Sequence, residues 1–133
     1  MVKHIFLDFD GVLNTEQYQA QLAIYGKPQK DEYGPVFDPK AVAKLAEIVK
    51  ATKAEIYVIS SWGEVLGEEK IIEMWEKRGL PGKIRAVFIP DKEGDSKAKW
   101  IEKCVDKQIF LPYVILDDEY QFLPEQEKNL IIV

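Results

Sequence analysis

The sequence predicts an α/β fold, an open, mainly parallel five-stranded sheet with helices on both faces in three layers. Three observations carry this. Short apolar runs rich in β-branched and aromatic residues alternate with segments whose apolar residues recur at helical spacing. Cap and turn residues separate the two kinds of segment, with no internal repeat, low-complexity tract or linker between them. Polar clusters stand where the strand-like runs finish, the end at which open parallel sheets carry their sites.

Val2 to Leu7 is nearly continuous in hydrophobicity, as suits a central strand buried on both faces, and it includes His4, the one histidine, expected in a packed or rim position rather than a catalytic one. The run ends on Asp8-Phe9-Asp10-Gly11, with Asn14 close behind. Alternate strand residues share a side, so Asp8 and Asp10 can converge on one cleft while Phe9 points away. Two carboxylates about 4 Å apart repel by roughly 4 kcal/mol at an effective dielectric of about 20, so a cation is the expected companion. From Thr15 to Val36 the pattern weakens. Tyr18, Leu22 and Tyr25 share helical spacing and Gly26, Pro28, Gly34 and Pro35 then break the chain, which reads as a small flap or lid over 15–36.

Asp38 and Pro39 start a helix as N-cap and first helical residue, with Val42, Leu45, Ile48 and Val49 as its buried stripe and an end near Thr52. Ile56 to Ile59 is the second strand and delivers Ser60, Ser61 and Trp62. Glu68 and Glu69 open the next helix and Lys77 and Arg78 close it, each sign matched to the helix dipole, with Ile71, Ile72, Met74 and Trp75 inward. Ile84 to Ile89 is a third strand whose Arg85 suggests an edge. A polar turn over 91–95 follows, and Asp95 or Ser96 caps a helix that buries Trp100, Ile101, Cys104 and Val105. Tyr113 to Leu116 is the fourth strand, ending on Asp117, Asp118 and Glu119, and Leu130 to Val133 the fifth.

The 133 residues fit one domain, 1–133, and 47% hydrophobic with 31% charged residues is an ordinary globular composition. A net charge of -5 argues against tight non-specific binding to nucleic acid, although a nucleic-acid end remains admissible as a substrate. No apolar run approaches the roughly 20 residues of a membrane helix, and Met1 to Phe6 lacks signal-peptide architecture, so a cytoplasmic protein without membrane partners is expected. Cys104 stands alone and is read as core rather than as a reactive thiol.

Asp8-Phe9-Asp10-Gly11-Val12, Ser60 after an apolar strand, a lysine of the 96–99 segment and Asp117-Asp118 occur in an order that resembles the haloacid dehalogenase-like phosphatase superfamily, from residue 2 to about 122. The resemblance implies a Rossmann-like fold and a phosphatase that hydrolyses a phosphate monoester with Mg²⁺ as cofactor. Asp8 would be the nucleophile, forming an aspartyl-phosphate, and Asp10 the acid/base. Ser60, Gly11 and Lys97 would hold the phosphate, with Lys99 a competitor for Lys97. Metal ligation is implied for Asp8, Asp10 (through its backbone carbonyl) and Asp118, with Asp117 as a supporting or second ligand; oxygen-only donors favour Mg²⁺ over zinc. The presence of Asp10 favours ester hydrolysis over dehalogenation.

Two departures matter. Val12 follows Gly11 where many relatives have threonine, a mild change, and only the 15–36 flap stands where relatives often carry a cap domain. An uncapped cleft admits a phosphorylated macromolecular end, and Ser60-Ser61-Trp62 is similar to the small phosphatase domains found with RNA-repair enzymes. Ser61, Trp62 and Asn14 are therefore candidate substrate contacts. Trp62 could stack on a base, worth about 1 to 3 kcal/mol, or pack to close the sheet edge. A small-molecule phosphatase acting on nucleotides or sugar phosphates is the alternative. A receiver-like signalling module shares the residue types but places its phosphoacceptor after a middle strand, where this chain has Ser60 or Pro90. Nothing in the sequence specifies an oligomer.

Overall fold

The computed structural model describes residues 3–90, 95–106, 112–118, 122–127 and 129–132. Val2 and Val133 at the ends of the first and last expected strands, the 91–94 part of the polar turn, and Glu119 lie outside the described residues.

Five strands, β1 (His4–Leu7), β4 (Glu55–Val58), β5 (Ile84–Val87), β6 (Tyr113–Asp117) and β7 (Leu130–Ile132), form one parallel sheet in the order β5-β4-β1-β6-β7. Between β1 and β4 the chain forms helix α1 (Glu16–Ile24), a two-residue-per-strand hairpin β2 (Lys30–Asp31) and β3 (Gly34–Pro35), and helix α2 (Pro39–Thr52). Helices α3 (Trp62–Leu66) and α4 (Glu68–Lys77) precede β5, α5 (Lys97–Asp106) precedes β6, and the short α6 (Pro124–Glu127) precedes β7. The chain steps outward from β1 through β4 to β5 and then returns to lay β6 on the other side of β1. Strand order thus reverses between β1 and β6, and a crevice opens beyond their carboxyl ends.

Alternation along β1 divides the core. Ile5, Leu7 and Phe9 face a cluster with Leu45 of α2 and Ile71, Met74 and Trp75 of α4, whereas Phe6 faces Tyr57, Ile115 and Ile101 of α5. Asp38 caps α2 by accepting from Lys40 N at 2.9 Å, and Ser96 caps α5 by accepting from Lys99 N at 3.2 Å. Buried Gln126 ties α6 to α5 by donating to the Ala98 carbonyl at 2.8 Å. Arg85 is exposed on β5, the edge strand the sequence suggested.

Some expectations need adjustment. The third strand stops at Val87, two residues early: Val87 is the last residue paired with β4, at Val58, although the Phe88 N–H still donates to the Val58 carbonyl at 2.8 Å. Cys104 is half-buried at the margin of its cluster rather than fully enclosed. The flap is a helix plus a hairpin, and its helix buries Leu22 alone while Tyr25 is 69% exposed. His4 is packed as expected, edge-on to Tyr57 with ring centroids 5.0 Å apart. Among the described residues, no helix is long and apolar enough to cross a membrane.

Candidate active site

The site is built where β1 and β6 run out of partners. Asp8 follows β1 and continues the ladder, its N–H donating to the Leu116 carbonyl at 3.0 Å, which sets its side chain beside that of Asp117 at the end of β6. Both are buried, Asp8 4% and Asp117 0% exposed. Lys97, the first residue of α5, inserts its ammonium between them, 3.2 Å from Asp8 Oδ2 and 3.1 Å from Asp117 Oδ2. Asp8 Oδ1 accepts from the Phe9 N–H at 2.8 Å.

Two carboxylates share one ammonium in a poorly hydrated place. Burial is the strongest influence on Asp8 and pushes its carboxyl up to about 7; Lys97 works against that shift and the Asp117 charge adds to it. Burial acts to lower the Lys97 pKa, but Asp8 and Asp117 outweigh it, so the ammonium stands above its ordinary value and stays charged.

Asp118, exposed, completes an acidic group: one carboxylate oxygen each from Asp8, Asp117 and Asp118 lie within 4.8 Å of one another. Three hard oxygen donors at that spacing could hold a divalent metal ion. Gly11 makes room for this group. Its φ is +81°, and a β-carbon there would overlap the Asp118 carboxylate. The turn expected of Gly11 is thus also a close approach of backbone to side chain.

Around Gly11 the chain folds into a tight loop. The Phe9 carbonyl accepts from the N–H groups of Val12, Leu13 and Asn14, while Phe9 itself is fully buried. This presents Asp10 to a cavity of about 400 Å³ lined by Gly11, Asn14, Glu16, Gln19, Pro35 and Asp118 among others. Asp10 does not join the three-carboxylate group with its side chain. Its Oδ1 accepts instead from Asn14 Nδ2 at 2.8 Å and from Trp62 Nε1 at 3.0 Å.

Ser60 lies two residues beyond β4, the strand beside β1, and is buried with its Oγ accepting from the Trp62 N–H at 3.2 Å. Ser61 is exposed at the start of α3. The two candidate phosphate-binding lysines of α5 diverge: Lys97 reaches the carboxylates, whereas Lys99 lines a different depression with Trp100 and Lys103.

A family model described as the HAD domain in Swiss Army Knife RNA repair proteins matches residues 4–133. The chain belongs to this family. No curated protein and no solved structure matches it.

Membership in the HAD family agrees with the parallel α/β sheet and implies a hydrolase of the phosphatase type. HAD domains generally use a divalent metal, and the Asp8, Asp117 and Asp118 group has the donor chemistry to hold one.

Sequence reasoning missed two things in this HAD domain. Asn14 and Trp62, read as candidate substrate contacts, both direct their donors at Asp10, while the Trp62 ring packs against Phe9 and Phe37 and is 8% exposed, in line with the packed reading that the sequence also offered. Arg78, read only as a positive charge closing α4, locks the flap. Its guanidinium bonds Asp31 at 2.9 and 2.6 Å and the Gly34 carbonyl at 3.1 Å, and lies 4.7 Å from the Phe37 ring centroid. The matched charge at Asp31 was visible in the sequence, but a partner 47 positions away cannot be singled out among many acids.

Proposed function

We propose that the protein is a Mg²⁺-dependent phosphomonoesterase that works through an aspartyl-phosphate on Asp8, with the phosphorylated end of an RNA as its substrate. The observation that carries this reading is the Asp8-Lys97-Asp117 cluster, in which a buried carboxylate is held at the cleft by a lysine that stays charged.

An Asp8 oxygen attacks phosphorus as the bond to the leaving oxygen breaks. The bonding pair goes to that oxygen, which takes a proton from Asp10. Water then attacks the phosphoryl group and gives its proton to Asp10, and the pair of the phosphorus–Asp8 bond returns to the Asp8 carboxylate. Lys97 and Ser60 hold the transferring group, as phosphoryl transfer requires positioning and charge neutralisation above all. Asp8, Asp118 and Asp117 would hold Mg²⁺, with the Asp10 carbonyl as a further oxygen donor; the ion supplies charge neutralisation on the phosphoryl oxygens.

The RNA end is supported by the description of the family and by the minimal flap, which among the described residues stands between β1 and α2 where a cap domain would be larger. Hydrolysis of an aryl phosphate in the presence of Mg²⁺, abolished in Asp8→Asn, tests the chemistry. Rates on 3′- and 5′-phosphorylated oligoribonucleotides against free nucleotides and sugar phosphates test the substrate. Turnover of free nucleotides far above that of any oligonucleotide would reassign the enzyme to small molecules, and no Mg²⁺-dependent turnover of any ester would end the reading.

A further inference from the structure

Trp62 is held from several sides. Ser60 Oγ accepts from its backbone N–H at 3.2 Å, and its ring meets Phe9 edge-on and Phe37 at a tilt, both at a centroid distance of 5.4 Å. The Arg78 guanidinium lies 5.7 Å from the ring centroid, and the flap backbone closes over the ring at Gly34, where a β-carbon would stand 3.3 Å from Trp62 Cη2. A phenyl ring would serve packing of this kind as well. The indole adds one thing, an N–H that leaves the packed cluster and meets Asp10 Oδ1 at 3.0 Å.

Asn14 Nδ2 donates to that same oxygen at 2.8 Å. Two donors therefore converge on Oδ1 of a carboxylate that is exposed and could otherwise rotate in solvent. Both bonds go to Oδ1, so they restrain the carboxylate and leave Oδ2 as its other acceptor, on a residue that lines the cleft.

We propose that Trp62 is a positioning residue for Asp10: with Asn14 it occupies Oδ1 and turns Oδ2 toward the leaving oxygen of the substrate. The flap contributes through its packing on the ring, so hairpin and acid share one rigid support. This inference rests on the reading of Asp10 as the proton carrier.

The test separates esters by their need for a proton. A nitrophenyl phosphate expels a phenolate that leaves unaided, whereas an alkyl monoester such as ribose 5-phosphate requires protonation of its leaving oxygen. The quantity kcat/KM covers every step through departure of that group. Trp62→Phe keeps a ring and removes the N–H. Its kcat/KM is expected to fall at least about tenfold more for the alkyl than for the aryl ester, a share of the roughly 10²–10⁴ that a general acid supplies. Replacing Trp62 by β-(3-benzothienyl)alanine, which is isosteric and lacks the N–H, repeats the measurement with packing preserved and decides it should Trp62→Phe fail to fold. Equal losses on both esters, or none on either, would mean that Trp62 only holds the fold and would overturn the proposal. An Asp10→Asn enzyme that keeps its alkyl-ester rate overturns the reading of Asp10 and the proposal with it. A leaving-group-dependent loss in Asp10→Asn without one in either Trp62 variant overturns the role of Trp62 alone.

Discussion

At Asp8 a carboxylate 4% exposed depends on Lys97 at 3.2 Å and still has its pKa pushed from the ordinary 3.8 up to about 7. A folded-state pKa above the unfolded one means that the native protein holds a proton the unfolded chain releases. The resulting stability is full below about pH 3.8 and is lost as pH rises through about 7. Metal-free wild type should therefore lose stability over that window, and Asp8→Asn should not. Melting in a chelator at about pH 5 and about pH 8 checks this: the Tm of Asp8→Asn minus that of wild type should be larger at the higher pH, and an unchanged difference counts against the shift. Gly11 makes a second test at the same scale. Gly11→Ala forces a side chain into φ +81° and onto the Asp118 carboxylate, so the expected outcome is about 1 kcal/mol of lost stability and roughly a tenfold rise in the Mg²⁺ concentration for half-maximal activity. Activation unchanged in metal dependence would separate Asp118 from the metal.

At the scale of elements, the β2–β3 hairpin is too short to stand by itself and owes its position to α4. Arg78 bonds Asp31 and Gly34, Tyr33 donates its hydroxyl to Glu73 at 2.6 Å, and Lys77 pairs with Glu32. The Lys77 pair is exposed and contributes little, whereas the Arg78 side chain is 11% exposed and its removal leaves the Gly34 carbonyl without that donor. Arg78→Ala should speed amide exchange across 29–36, including the Val36 N–H now bonded to the Gln29 carbonyl, without a comparable change in α2. Exchange that stays slow would place the hold on the hairpin elsewhere. The bidentate bonds to Arg78 also hold the Asp31 carboxyl below its ordinary 3.8, so this contribution is present above about pH 3.8 and is lost as acid protonates Asp31. Faster exchange of the hairpin in acid is the corresponding expectation.

Over the whole molecule, a metal held by the three-carboxylate group would couple its binding to folding, because the unfolded chain has no such group to offer. A metal that binds only the native state stabilises by RT ln(1 + [L]/Kd), about 2.7 kcal/mol at a hundredfold excess over Kd. Mg²⁺ should accordingly raise the Tm of wild type near neutral pH, and the increment should shrink in Asp8→Asn or Asp118→Asn. Equal increments in wild type and both variants would point to a cation site elsewhere on the chain.

The sequence determined more of the fold than of the site. Apolar runs alternating with amphipathic segments specify the β-α order, since burial on two faces or on one stripe requires those periods, and the Asp38 and Ser96 caps are local hydrogen bonds that neighbouring residues decide. A strand finishing on Asp8 and another on Asp117-Asp118 announced where charge must gather. What the tertiary structure alone decided is who meets whom across long stretches of chain. The insertion of Lys97 between Asp8 and Asp117, while Lys99 two residues later lines a different depression, follows from the docking of α5 against the sheet and not from any short pattern. The bond from Trp62 to Asp10 joins residues 52 positions apart, and that of Arg78 to Asp31 joins residues 47 apart. Periodicity reports which face of an element is buried. Direction in three dimensions belongs to packing, and it is packing that brings the Trp62 N–H to Asp10 and the Arg78 guanidinium to the flap.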